Sequence, residues 1–452
     1  MGTEHPKIML SRRAVLTASL AMGLAACSKP GGTRGPSSNA AEEMTAWTQA
    51  VKKDLDGTKV TIAMATDATT EAVRKMGQAF TQATGIAANF IVTDANGLKN
   101  KQLLDFQSGS GGYDVEMVDS FYINEFVTRG MLEPLDATLS DTARTPSWFA
   151  YDDFADAYRS YGKVNGKVYG IPFAGATRIV GYRKDLLAKQ SISAPANLDD
   201  FLAAAKRLKA AGQTAGIAMR GMKGVQFSSG LLQFLYQFSD GFFDPKSGAQ
   251  RIAAPENVQA LEYYVELLKT GPQDISSYGP QQAVAAFTAG KAAMWYDGTP
   301  LAVDIVDPDK STVADQVEFA VPPSGPHGHF APLAGWNLSI ASKSKQKQAA
   351  WAFICWMLGK PNDAQYLSLG GAPSRLTSFG KPPTPRHAKY YPTMVDALKL
   401  AKALTDRGIS WIPQVPQSSK ALSEIGNQGA RVLAGEIGAK QALETAASQL
   451  GS

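Results

Sequence analysis

The sequence predicts an α/β protein built from two packed units, and three observations carry that expectation. Between Lys59 and Arg129 short apolar runs alternate with stretches whose apolar residues recur at helical spacing, the pattern of a parallel sheet covered by helices. The chain has 452 residues, 44% of them hydrophobic and 19% charged, which is ample for a core and too long for only one. Beyond Asn197 the pattern turns helix-rich, as expected of a second unit with its own packing.

At the N-terminus, Ser11-Arg12-Arg13 precedes the uncharged run Ala14–Ala26, which closes in Leu24-Ala25-Ala26-Cys27. This reads as a twin-arginine-type lipoprotein signal over residues 1–26. Small residues give a peptidase access to the backbone, and the Cys27 thiol takes the lipid. The run has 13 residues, too few to span a bilayer core, and no later stretch nears the roughly 18 apolar residues required. The expectation is an exported protein, lipid-anchored to the outer face of the cell membrane. Residues 27–55 form a lipidated tether and lead-in, with Ser28–Ala40 too rich in Gly, Pro and Ser for a packed element. Cys355, in an apolar helical pattern, is the only other cysteine, so no internal disulfide is expected. The net charge is +5, without long runs of one sign, and the lysines are scattered, which argues against a nucleic-acid partner.

Strands are expected at Lys59–Ala65, Ile86–Val92 and Tyr113–Asp119, and helices at Thr70–Thr84, Asn96–Ser108 and Phe121–Arg129. In such sheets ligands bind beyond the carboxyl ends of the strands, which singles out Asp67 and Asp119. Either can equally be a helix N-cap. Asn165-Gly166 signals a turn. A strand over Val168–Ile171, a bend at Pro172 and a second strand over Ile179–Tyr182 then lead into a helix at Lys184. Arg178 lies between those two strands, where burying it unpaired is costly. It either pairs with a carboxylate or donates to ligand oxygens. Asn197 caps the next helix, and further helices are expected near Ser228–Ser239, Pro255–Lys269, Pro280–Ala289 and Gln346–Leu358, with two more ending at Leu450. Within Phe287–Gly298, Trp295 and Tyr296 fall on opposite faces of a strand, one for the core and one for a cleft.

Six stretches carry a family resemblance. They are Tyr113–Asp119 with Pro134-Leu135-Asp136, Gly166–Pro172 followed by Gly181–Leu186, Phe287–Gly298, Gly335–Ile340, Gly371–Arg375 and Trp411–Gln417. Over about residues 56–450 the chain resembles the extracellular solute-binding proteins of bacterial ABC importers, a sugar-binding family that includes maltose-binding proteins. The resemblance implies a two-lobed periplasmic-binding-protein-like fold with a ligand cleft and three hinge crossings, near Pro172, Asp297 and Gly335. Lobe one would comprise 56–172 plus 297–334, and lobe two 173–296 plus 335–452. It further implies a monomer that captures a sugar or polyol and hands it to permease subunits. Asp119, Arg178 and Trp336 lead the candidate ligand-binding residues, followed by Asp67, Tyr296, Asp297 and Arg375. Carboxylates and guanidinium forks suit a rim of hydroxyls, and an aromatic face suits the apolar side of a sugar, although Trp336 also fits simple core packing. Arg178 with Arg375 would also suit a phosphodiester.

No nucleophile elbow, phosphate loop, dinucleotide fingerprint or zinc-protease motif occurs, so an enzyme is not expected, nor is a cofactor or metal. His327 and His329 are read as a solvated loop. A glycoside hydrolase using Asp67, Asp119 and Asp297 is the competing class, because the distances between carboxylates decide it. An iron-binding relative would need clustered tyrosines, and Tyr263-Tyr264 and Tyr390-Tyr391 are better read as packing.

Overall fold

The computed structural model describes residues 36–451; the twin arginine and Cys27 lie outside the described residues. Ten strands follow in chain order: β1 (Lys59–Ala65), β2 (Ala87–Thr93), β3 (Val115–Asp119), β4 (Lys163–Val164), β5 (Lys167–Val168), β6 (Ile171–Arg183), β7 (Ala215–Ala218), β8 (Ala292–Gly298), β9 (Val317–Ala320) and β10 (Leu333–Ile340). Helices Ala68–Thr84 and Ala95–Ser108 separate the first three strands. Asp67 and Asp94 cap their N-termini, and Gly85 and Gly109 end them in the left-handed conformation. β1 lies parallel to both β2 and β3. The Asn165-Gly166 signal is a two-residue turn joining β4 to β5, with φ of 51° and 78°, the positive values such turns require.

Hydrogen bonding runs β2-β1-β3-β10-β6-β8-β7, with β9 also on β6. The 13-residue strand β6 joins two lobes. Its first half, as far as Thr177, pairs with β10; from Arg178 onward it pairs with β8 and β9. One core gathers Ile62, Val73, Phe80, Phe173, Leu338 and Phe353, and a separate one gathers Ile179, Phe201, Phe234, Trp295, Val317 and Leu443.

Several expectations change here. Pro172 does not separate two strands. It sits inside β6 beside a bulge, since Trp336 faces Ala174 while Asn337 faces Pro172, leaving Phe173 as the extra residue. The Phe173 carbonyl, freed from the ladder, accepts from Tyr366 Oη at 2.8 Å. The segment 297–334 was expected in lobe one and 335–452 in lobe two, but 297–332 pairs and packs with lobe two and about 336–372 with lobe one, while the chain from Phe379 onward packs in the second core as expected. β9 joins the second half of β6, whereas Trp336–Ile340 of β10 pair with β3 and the following helix Lys347–Leu358 packs in the first core. The chain therefore changes lobes at Thr177, around Leu333–Trp336, and between Ala372 of the first core and Phe379 of the second, not at Asp297. Finally, the stretch read as a tether gives way to a helix, Pro36–Leu55, whose Trp47 indole donates to the Ala143 carbonyl and stacks edge-on against Trp148.

The reverse face of β3 buries Glu116, opposite Ser339, with carboxyl Oε2 unpaired by any protein group. Burial, aided by the charge of Asp105, pushes it up from 4.5 to about 8. Glu116 is therefore neutral in the native state at pH values where the unfolded chain has already released that proton. Stability should fall by up to ~1.4 kcal/mol per pH unit between roughly pH 5 and 8 from this group alone. Denaturant unfolding across that range should show a shallower decline for Glu116→Gln; an unchanged slope would contradict the assignment.

Candidate functional site

Strand ends from both lobes converge on one cleft. In lobe one, Asp119 ends β3 directly opposite Trp336 of β10, so the carboxylate and the indole occupy neighbouring positions on the same ledge. Asp119 Oδ1 accepts from Phe121 N at 2.9 Å and from Ser120 Oγ at 3.2 Å. Burial pushes its carboxyl up to about 6, against the pull of those two bonds and of Lys99 and Arg220. Trp336 is half-buried and packs against both lobe-one clusters.

In lobe two, Asp297 at the end of β8 is fully buried and held by two arginines. Arg220, just beyond β7, grips it through Nε and Nη2 at 2.7 Å each, and Arg178 Nη1 reaches Oδ1 at 2.5 Å. The Gly298 amide adds a bond at 2.6 Å. Burial would raise the Asp297 carboxyl, but the two guanidiniums outweigh it and hold the group below its ordinary value. Arg178 is lowered to about 10 by burial, with Arg220's charge adding to the effect, so it stays protonated at neutral pH. Its Nη2 donates to Ser229 Oγ at 2.8 Å, and its plane lies 4.9 Å from the Trp411 ring. This pairing resolves the choice left open for Arg178 in favour of a carboxylate, within lobe two.

The lobes also touch at Phe121 and Lys99, besides the packing of the helix Asp156–Tyr161 against the second core. The ring of Phe121 meets Trp411 edge-on at 5.8 Å, and Lys99 Nζ, paired with Glu125 at 2.8 Å, reaches Ser419 Oγ at 3.4 Å. A cavity of about 60 Å³ is lined from lobe one by Ser120, Tyr161 and Lys163 and from lobe two by Trp411 and Gln414. Larger hollows of about 480 and 570 Å³ open on the outer surface of single lobes, and neither is lined from both.

The candidates thus separate. Asp119 and Trp336 sit side by side and only partly buried where β3 meets β10, and Arg178 and Asp297 form the buried clamp of lobe two. Asp67 caps the helix Ala68–Thr84, accepting from Thr70 N at 3.0 Å and Thr69 Oγ1 at 2.5 Å. Tyr296 is core: it is fully buried against Phe201 and Phe234, and Trp295 is fully buried too, because β8 is an interior strand covered on both faces. Arg375 is 1% exposed and spends its guanidinium on the carbonyls of Phe149, Ala150 and Leu358, fastening the third crossing. Missing from the sequence reading are Arg220, Lys99 and Tyr161. Arg220 was open to the same strand-end rule that found Asp119, applied to Ala215–Ala218. Trp411 stood inside a quoted motif but was not singled out. Among the described residues no group of three or more His, Cys, Asp or Glu side chains is placed to hold a metal ion, and no helix is long and apolar enough to cross a membrane. His327 contacts Asp240 and His329 the Pro322 carbonyl, so the two rings have separate partners.

Comparison with known proteins follows the same lines. The family model described as bacterial extracellular solute-binding protein matches residues 66–364. A probable amino-acid ABC transporter periplasmic-binding protein of Sinorhizobium fredii is 26% identical over 360 residues, covering 77% of this chain and 79% of that one. The mannitol-binding protein of Pseudomonas aeruginosa is 30% identical over 279 residues, 60% of this chain and 62% of that one. A solute-binding protein of Agrobacterium vitis S4, solved with bound D-mannitol, superimposes with a TM-score of 0.74 at 27% identity, covering 87% of this chain and 97% of that one.

The buried clamp makes its own prediction. Asp297→Ala strands two guanidiniums in the wall and should cost ~3–5 kcal/mol in denaturant unfolding at neutral pH. A loss below ~1 kcal/mol would show that the clamp is not what holds this wall.

Proposed function

The chain belongs to the bacterial extracellular solute-binding proteins, and on that premise we propose that its cleft captures a neutral sugar or polyol and delivers it to the permease of an ABC importer. The observation that carries this reading is the pairing of Asp119 with Trp336 on one ledge of lobe one, opposite arginines already neutralised in part by Asp297. A carboxylate that accepts hydroxyl hydrogens beside an indole that covers C–H faces is the chemistry a polyhydroxylated solute needs. The mannitol-binding relative and the mannitol-bound structural neighbour support the same class. A phosphodiester has less support, because Arg178 and Arg375 are engaged with protein groups. Binding also asks nothing of the cleft carboxylates beyond acceptance of hydrogen bonds, so the hydrolase alternative gains no support.

Calorimetric titration against sugars, acyclic polyols, amino acids and phosphodiesters tests this. A polyol or sugar should bind, and Trp336→Ala should weaken it at least tenfold, about 1.4 kcal/mol. Binding only of amino acids or phosphodiesters would contradict the reading. Because the ionised Asp119 is the acceptor and its carboxyl titrates at about 6, affinity should fall as pH drops through that value. Asp119→Asn should flatten the profile; an Asn variant that keeps the wild-type pH dependence would remove Asp119 from the site.

The same reading includes export and a lipid anchor at Cys27. Mass spectrometry of the membrane fraction should find a mature N-terminus at acylated Cys27, and an unmodified or differently placed terminus would exclude the anchor.

A further inference from the structure

We propose that Phe121 and Trp411 form a wall across the cleft that limits the solute to a short acyclic polyol and excludes a second sugar ring. The inference rests on the solute-capture reading above and adds the size and shape of what is captured.

Trp411 is rigidly mounted. One face lies against the Arg178 guanidinium, the indole nitrogen donates to the Leu232 carbonyl at 3.3 Å, and the Trp411 carbonyl accepts from Tyr236 Oη at 2.6 Å. Arg178 is in turn fixed by Asp297 and Ser229, so the ring cannot yield without disturbing a buried ion cluster. Phe121 meets it from the other lobe, in the turn that follows Asp119, and packs against the cores of both lobes. Their rings lie 5.8 Å apart at 75°, an edge-to-face contact that leaves no passage between them. The Lys99 to Ser419 contact ties the lobes at a second point.

Beside Trp411 lies a partly open space of about 60 Å³. A water-sized group occupies ~10–15 Å³ on that measure, so the space holds roughly four to six such groups. That suits a short chain of hydroxylated carbons and falls far short of two rings. Its lining is of matching chemistry. Ser120, Ser160, Thr405 and Ser410 supply hydroxyls, and Gln414 supplies an amide. Tyr161 also lines it, and the Tyr161 hydroxyl is buried without a protein partner, leaving a donor and an acceptor for a solute hydroxyl.

The test is calorimetry on the exported full chain in detergent, with erythritol, ribitol, mannitol, maltose and maltitol as probes, alongside Trp411→Ala and Phe121→Ala, with melting curves for each variant. The wild type should bind at least one acyclic polyol and hold maltitol and maltose at least 100-fold more weakly. Removing either ring should shrink that ratio to tenfold or less. Wild-type affinity for maltitol or maltose matching that for the acyclic polyols would overturn the wall while leaving solute capture intact. Should Trp411→Ala fail to fold, Phe121→Ala carries the test, since Phe121 is only partly buried; a folded Phe121 variant with an undiminished ratio overturns the proposal. Failure of every polyhydroxylated probe to bind the folded wild type overturns both this inference and the reading beneath it.

Discussion

Asp297, gripped by Arg178 and Arg220, is the interaction on which the cleft depends. Three separate parts of the chain, β6, the residues beyond β7 and the end of β8, meet in it, and Ser229 and Gln226 bring the helix Val225–Leu235 into the same network. Buried ion clusters of this kind seldom add net stability over an apolar packing, because desolvation consumes the Coulomb gain. Their value is geometric. Here the cluster holds the Arg178 guanidinium over the Trp411 ring, and so fixes this part of the lobe-two wall. Two guanidiniums against one carboxylate also leave a positive surplus, and Asp119 lies on the opposite ledge within reach of Arg220's field.

Local order was legible in the sequence wherever periodicity alone decides it. β1 begins and ends where its apolar run does, the Asn165-Gly166 turn takes the backbone its residues dictate, and Asn197 caps its helix by accepting from the Asp200 amide. The helices with proline at the first turn, Pro255–Leu268 and Pro280–Thr288, also start where expected. Long-range order was not. Which lobe receives β9 or β10 depends on pairing between strands far apart in sequence, and both are short apolar runs that satisfy either sheet. Pro172 misled because the bulge that accommodates it is a property of the pairing with β10 and leaves no mark on the local sequence.

The same distinction explains the site. Residue chemistry picked out Asp119 and Trp336, which lie side by side where β3 meets β10, but it ranked Arg178, Asp297 and Arg375 with them because a charged side chain reads identically whether it meets a ligand or a buried partner. Tyr296 was chosen from strand alternation, which assumes one face open, whereas β8 is covered on both. Only the fold reveals that Arg375 is a fastener of the third crossing.

On the proposed reading, the three crossings would let the two lobes open and close as rigid bodies around a solute. Small-angle scattering measures this most directly, by comparing the radius of gyration of the protein alone with that at a saturating concentration of a polyol that binds it. The account predicts a smaller radius with solute and a profile matching the closed arrangement described above. Superimposable curves at saturation would contradict it.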